Sequence, residues 1–193
     1  MVKNVAFIGL GVMGYPIAGH LISKNSNLNI KVYNRSVEKS EKWVSKFNGS
    51  LSTTPADAAK DCDIVFICVG NDIDVEQVVR GENGIMSSLP ENSIIVDHTT
   101  ASAKIALDLY NFCKSTKNVN FIDAPVSGGQ AGAENGQLTI MVGGDEDAYL
   151  KIEPLLKSYA KNSTLIGNSG SGQLAKMVNQ ICIAGLVQGL SEG

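Results

Sequence analysis

Short apolar runs that suit β-strands alternate with helical patterns along almost the whole chain, and this alternation constrains the fold more than any other feature. NVAFIG (4–9), NIKVYN (29–34), DIVFICV (63–69), SIIVD (93–97), VNFIDA (119–124), LTIMVG (138–143) and STLIG (163–167) read as strands. Several are apolar on both faces, as strands of a parallel sheet covered on both sides must be. Helical patterns lie between them, over 12–24, 36–46, 72–79, 101–115, 145–158 and 172–190. This order predicts an α/β fold in which helices cross over a mostly parallel sheet. The 193 residues suffice for one domain with a substantial core, with no repeat and no low-complexity tract.

Bulk properties narrow the classes of function. The net charge of −3 argues against a general nucleic-acid or membrane-surface binder. No run of about 20 apolar residues predicts a membrane span, and the apolar run in MVKNVAFIGLG is too short for a signal peptide. Cytoplasmic placement is expected. Cys62, Cys68, Cys113 and Cys182 form no CxxC pair and read as reduced core or near-core thiols. His20 and His98 lie far from them in sequence, so no metal site is expected.

The first run ends in GLGVMG, which places Gly9, Gly11 and Gly14 as G-x-G-x-x-G between a strand and a helix. That context makes the motif a dinucleotide fingerprint and the fold a Rossmann-type, doubly wound sheet. Gly9 makes the tight turn, Gly11 lets backbone approach a pyrophosphate, and Gly14 permits close helix–strand packing. The phosphates are then expected at the helix N-terminus, over Leu10, Val12 and Met13. The second strand ends in Asn34, Arg35 and Ser36, about 20 residues after Gly14. NAD-preferring folds carry a carboxylate there; an arginine suits a 2′-phosphate, so NADP(H) is favoured over NAD(H).

A second glycine-rich stretch, DAPVSGGQAGAENGQLTIMVGG, runs from Asp123 to Gly144 with six glycines. With FIGLGVMGYPIAGHL (7–21) and GSGQLAKMVNQ (170–180), it gives the chain a resemblance to the β-hydroxyacid dehydrogenase family. That family includes 3-hydroxyisobutyrate dehydrogenases, tartronate semialdehyde reductases and succinic/glyoxylic semialdehyde reductases. The resemblance implies an NAD(P)-dependent enzyme that interconverts a short β-hydroxy acid and its semialdehyde or keto form. It implies that Ser127, Gly128 and Gly129 hold the substrate carboxylate and that Lys176 transfers the proton. It also places Thr100, from DHTT, against the nicotinamide or its ribose, and Val69 and Gly70 along the cofactor.

The residues themselves agree with an acid/base lysine. Lys176 is the only charged residue between Gly170 and Ser191 in an apolar helix, which suits a lysine whose pKa is drawn down by burial. Asn179 and Gln180 follow at i+3 and i+4 on the same face, and either amide can meet substrate. Asp123 is expected to end a strand and fix the loop. His98 reads equally as a cofactor contact or a satisfied loop histidine, His20 as structural or exposed, and Trp43 as packing. GGDEDAY reads as a helix start.

The expected division is a dinucleotide-binding domain over 1–168 and, over 169–193, the start of a long interdomain helix carrying Lys176. That helix is apolar around much of its circumference, so it calls for cover, either from another subunit or from following chain. The second is favoured: the resemblance implies a C-terminal all-α domain, expected to follow this helix in a longer protein, and the full-length form is expected to be a homo-oligomer. Two rivals remain. A 6-phosphogluconate dehydrogenase-like enzyme would carry His where this chain has Asn179, and a non-catalytic dinucleotide-binding module would lack the lysine.

Overall fold

The computed structural model describes residues 2–193. Among these, nine strands form one sheet. The first half runs β1 (Asn4–Ile8), α1 (Gly14–Lys24), β2 (Asn29–Tyr33), α2 (Val37–Val44), β3 (Ser50–Leu51), α3 (Pro55–Ala59), β4 (Ile64–Ile67) and α4 (Asp72–Arg80). The second half runs β5 (Ile94–Asp97), α5 (Ala103–Lys117), β6 (Asn120–Asp123), β7 (Val126–Ser127), α6 (Gly129–Glu134), β8 (Leu138–Gly143), α7 (Glu146–Leu156), β9 (Ala160–Gly167) and α8 (Ser171–Glu192).

Six strands are parallel in the order β3-β2-β1-β4-β5-β6, and the chain reverses direction across the sheet between β1 and β4. Beyond β6 the pattern changes. β8 meets β6 antiparallel at Asp123–Gly143, carries β7 antiparallel and pairs β9 in parallel.

Alternation along each central strand builds two cores. Val5, Phe7, Ile64, Phe66, Ile94 and Val96 enter the layer shared with α1, α2 and α7. Ala6, Ile8, Val65, Ile67 and Ile95 enter the layer shared with α3, α4 and α5. Both faces are covered, so these strands read as apolar runs without alternation. Trp43 is fully buried in the first layer, as expected.

Several short elements lack a sequence signal. α3 is five residues long and owes its start to Thr54, whose Oγ1 accepts the Asp57 N–H. β7 and α6 lie inside the glycine-rich stretch, so that stretch is part strand and part helical turn. α8 forms where the apolar pattern predicts it, and much of its length is left uncovered within the chain. Its first turns pack on β6, β8, β9 and α5, whereas Ile181, Leu186 and Leu190 further along are exposed. Cys182 is exposed for the same reason, while Cys62 and Cys113 are buried as expected. No helix among the described residues is long and apolar enough to cross a membrane.

The fingerprint glycines have separate geometric duties. Gly9 has φ +97°, and a Cβ there would collide with the Cys68 carbonyl. A Cβ at Gly14 would collide with the Gly9 carbonyl and lie 2.9 Å from the Phe7 ring, whereas one at Gly11 would meet nothing within 4 Å. Gly14→Ala is therefore expected to destabilise the chain by about 2 kcal/mol or more, and Gly11→Ala by less than about 0.5 kcal/mol. Urea unfolding of both variants checks this; equal losses would contradict the assignment.

A buried polar group sits at the carboxyl ends of β5 and β6. His98 donates through Nδ1 to the Ala124 carbonyl at 2.7 Å, which leaves Nε2 to accept from the Tyr159 hydroxyl at 2.8 Å. It is thus a satisfied histidine, and burial lowers its pKa from 6.5 to about 4. Burial also raises Asp97 from 3.8 to about 7, against the opposing pull of the Thr99 hydroxyl and backbone N–H. The two groups oppose each other in pH dependence. The unfolded chain protonates His98 first, so that residue costs stability as pH falls from about 6.5 to about 4. The folded chain keeps the Asp97 proton longer, so that residue costs stability as pH rises from about 4 to about 7. Between pH 4.5 and 6.5, Asp97→Asn should make the slope of stability against pH more positive than wild type, by up to about 1.4 kcal/mol per unit. His98→Gln should make it more negative. Denaturant unfolding across that range measures both slopes; an unchanged slope in either variant would contradict the corresponding assignment.

Candidate functional site

The reversal of strand order between the parallel β1 and β4 opens a crevice outside their carboxyl ends, where ligands bind in sheets of this kind. A cleft of about 700 Å³ occupies that place. Gly9, Gly11, Val12 and Met13 line one side, Val69 and Gly70 another, and Asn34, Arg35 and Ser36 the far end. Leu10 and Gly14 are buried and build the turn without lining the cleft.

α1 begins at this cleft without a side-chain cap and without an acidic residue in its first turn. Its free N–H groups and dipole make a site for an anion. Asn34 braces the loop: its Oδ1 accepts the Leu10 N–H at 2.8 Å and its Nδ2 donates to the Ser36 carbonyl at 3.0 Å. Both ends of that amide are committed within the protein. Arg35 projects into solvent with its side chain 86% exposed, and Nη1 lies 3.5 Å from Asp74 Oδ1.

Two further cleft residues escaped the sequence reading. Lys39, in the first turn of α2, lines the same end as Arg35, which precedes the helix. Asp74 lines the facing wall, and no local pattern marks it. Cys68 also lines the cleft, but burial and the nearby Asp97 push its thiol up to about 12, which keeps it protonated and unreactive.

The second group of expected residues lies outside that cleft's lining. Ser127 ends β7, while Gly128 and Gly129 follow it exposed, with φ +131° and +60°. Gly129 faces open space, and both φ values lie in the region that favours glycine. Thr100 is exposed at the end of the β5 loop. Lys176 is half-buried on α8 and takes part in none of the ion pairs among the described residues. Burial alone lowers its pKa. Asn179 is turned inward, with its Nδ2 buried and unpaired, while Gln180 is exposed.

Asp123 and Gln173 connect these pieces. Asp123 is fully buried, and its carboxylate accepts the Gly170 N–H at 2.7 Å and the Gln173 N–H at 2.9 Å, which caps α8. Burial still raises its pKa against the pull of those N–H groups. Gln173, one turn before Lys176, donates from Nε2 to the Thr99 carbonyl at 2.7 Å and accepts the Ala101 N–H on Oε1 at 3.1 Å. Its amide thus brackets Thr100. Thr99 in turn accepts the Val69 N–H on its hydroxyl, at the edge of the cleft. The sequence marks Asp123 as a loop-fixing residue; nothing local marks Gln173. Among the described residues no cluster of three or more His, Cys, Asp or Glu could hold a metal ion.

Residues 4–167 match the family described as the NAD binding domain of 6-phosphogluconate dehydrogenase. An uncharacterized oxidoreductase of Shewanella frigidimarina (strain NCIMB 400) is 53% identical over 190 residues, which cover 98% of this chain and 64% of that protein. The 2-hydroxy-3-oxopropionate reductase of Escherichia coli (strain K12) is 35% identical over 192 residues, covering 98% and 63% respectively. Among solved structures, the Mycobacterium tuberculosis 3-hydroxyisobutyrate dehydrogenase with L-serine matches with a TM-score of 0.87 at 26% identity, over 95% of this chain and 61% of that one. The chain spans a little under two thirds of the length of these proteins. The parallel strand order, the glycine turn at the switch point and these matches agree: the chain belongs to the family of the 6-phosphogluconate dehydrogenase NAD-binding domain, which takes in the 3-hydroxyisobutyrate dehydrogenases.

Proposed function

We propose that this oxidoreductase interconverts a short β-hydroxy acid and its semialdehyde or keto form, with NADP(H) preferred. The observation that carries the reading is Lys176: half-buried, without a counter-ion, lowered in pKa by burial, and on the helix that Gln173 ties to the Thr99–Ala101 loop. A lysine serving only solubility would be solvated or paired.

The residues around the switch point fit a dinucleotide. The uncapped start of α1 and the open space at Gly11 suit a pyrophosphate. Arg35 and Lys39 suit a 2′-phosphate, because both are cations and Asn34 already spends its acceptor on Leu10. The bound nicotinamide supplies or accepts the hydride at the substrate carbon. The exposed N–H groups at Gly128 and Gly129, with the Ser127 hydroxyl, hold the substrate carboxylate. In reduction, the Lys176 ammonium gives a proton to the carbonyl oxygen; in oxidation, the neutral amine takes it from the hydroxyl. A pKa below the ordinary lysine value makes both forms accessible nearer neutrality. The unpaired Nδ2 of Asn179 favours that amide over Gln180 as a donor to the same oxygen. An Asn at this position also separates the chain from the 6-phosphogluconate dehydrogenase-like alternative, which calls for His.

Lys176→Ala is expected to lower kcat for semialdehyde reduction by about 100-fold or more, while the Kd for NADPH stays within about twofold. Steady-state kinetics and fluorescence titration read the two effects. Unchanged kcat would overturn the role of the lysine; parallel loss of NADPH affinity would mean that it supports the cofactor.

A further inference from the structure

The cofactor cleft carries opposite charges on facing walls. Arg35 and Lys39 stand on one, from the end of β2 and the start of α2, and Asp74 stands on the other, in the first turn of α4. The pair is asymmetric. The Asp74 side chain is 25% exposed against 86% for Arg35, so the carboxylate is the fixed member and the guanidinium the movable one.

Three features hold the carboxylate in place. The Asp74 N–H is capped by Asn71 Oδ1 at 3.0 Å, which sets the start of α4. The helix N-terminus favours a charged carboxylate in this turn. Asp74 Oδ2 sits over Gly70, 2.6 Å from where a Cβ at that position would lie, so the glycine leaves the space that the carboxylate fills. The other acid of the turn, Asp72, accepts both the N–H and the hydroxyl of Ser102 at the start of α5 and is not among the residues lining the cleft. Asp74 has no such structural employment; among the described residues its one ionic partner is Arg35.

We propose that Asp74 is a specificity-determining residue: an internal anion that competes with a 2′-phosphate for Arg35 and so limits the preference for NADP(H) over NAD(H). This rests on the reading of Arg35 as the phosphate partner. A phosphomonoester entering that end must draw Arg35 away from Asp74 and then lie near a fixed like charge. A ribose with a free 2′-hydroxyl does neither. An exposed ion pair is weak and screened by salt, so the effect is modest and depends on ionic strength.

The test is a set of NADPH and NADH titrations on the protein and on four variants: Asp74→Asn, Glu82→Gln, Arg35→Ala and the Arg35→Ala/Asp74→Asn pair. Glu82 lines the same cleft without pairing Arg35, so it controls for general charge. At low salt, Asp74→Asn should tighten NADPH about fivefold and leave NADH within about twofold; the gain should shrink in 0.5 M salt and vanish in the Arg35→Ala background. Glu82→Gln should give less than half that gain. Equal tightening of both cofactors, no change, a gain that survives Arg35→Ala, or loss for both would each overturn the proposal. Loss for both would instead make Asp74 an acceptor for the adenosine they share. The Arg35 reading is judged separately. If wild type prefers NADH and Arg35→Ala leaves NADPH unchanged, that reading fails, and an unmoved Asp74→Asn fails with it. If wild type prefers NADH but Asp74→Asn reverses the order, the competition is supported. Binding of neither cofactor would contradict the cleft as a dinucleotide site, and the proposal with it.

Discussion

One buried carboxylate joins the sheet to the helix that bears Lys176. Asp123 ends β6, the last strand of the parallel run, and its two oxygens cap the first turn of α8. Its surroundings are shaped to receive it. A side chain at Gly143 would meet the carboxylate at 2.6 Å, and one at Gly172 would press on the Met141 and Asp123 carbonyls. Gly170, with φ +89°, turns the chain so that its N–H reaches the carboxylate. Gly143, late in the second glycine-rich stretch, and Gly170 and Gly172 of the α8 motif therefore serve this cap. Removing the acceptor would leave buried donors unpaired, which costs more than the net worth of the bonds.

From that anchor the two parts of the proposed site are built by different means. The cofactor end is made largely of backbone: a tight turn, an uncapped helix start and a reversal of strand order between parallel strands. The substrate end takes backbone N–H groups at Gly128 and Gly129 and side chains on separate elements, and the Gln173 amide ties the helix of Lys176 to the Thr99–Ala101 loop. The chain of contacts runs from Val69, at the cleft edge, through Thr99 to Gln173 of α8, and its Thr99–Gln173 and Asp123–Gln173 bonds are buried, where hydrogen bonds are little weakened by water.

The backbone-made end was legible in the sequence. Gly9 and Gly14 of G-x-G-x-x-G meet a positive φ or close approaches that a side chain would block, and strands buried on both faces are apolar throughout. The second half was less legible. β7 and α6 are too short to carry a period, and the antiparallel seat of β8 beside β6 arises from tertiary pairing that no local pattern encodes. Gln173 and Asp74 take their meaning from partners far away in sequence, at Thr99, Ala101 and Arg35. The exposed Cys182 shows the same limit from the other side: an apolar neighbourhood in sequence is no guarantee of burial within the chain.

The central claim is that α8 presents Lys176 as a group able to release its proton, and the direct test is its own titration. NMR of the protein with 13C-labelled lysine side chains, the Lys176 signal assigned by its loss in Lys176→Ala, gives that pKa without substrate or turnover. The account predicts a value below 10.5, because the amine is partly desolvated and lacks a carboxylate partner. A Lys176 that titrates at or above 10.5 would mean that the side chain is solvated or paired, and would contradict the account.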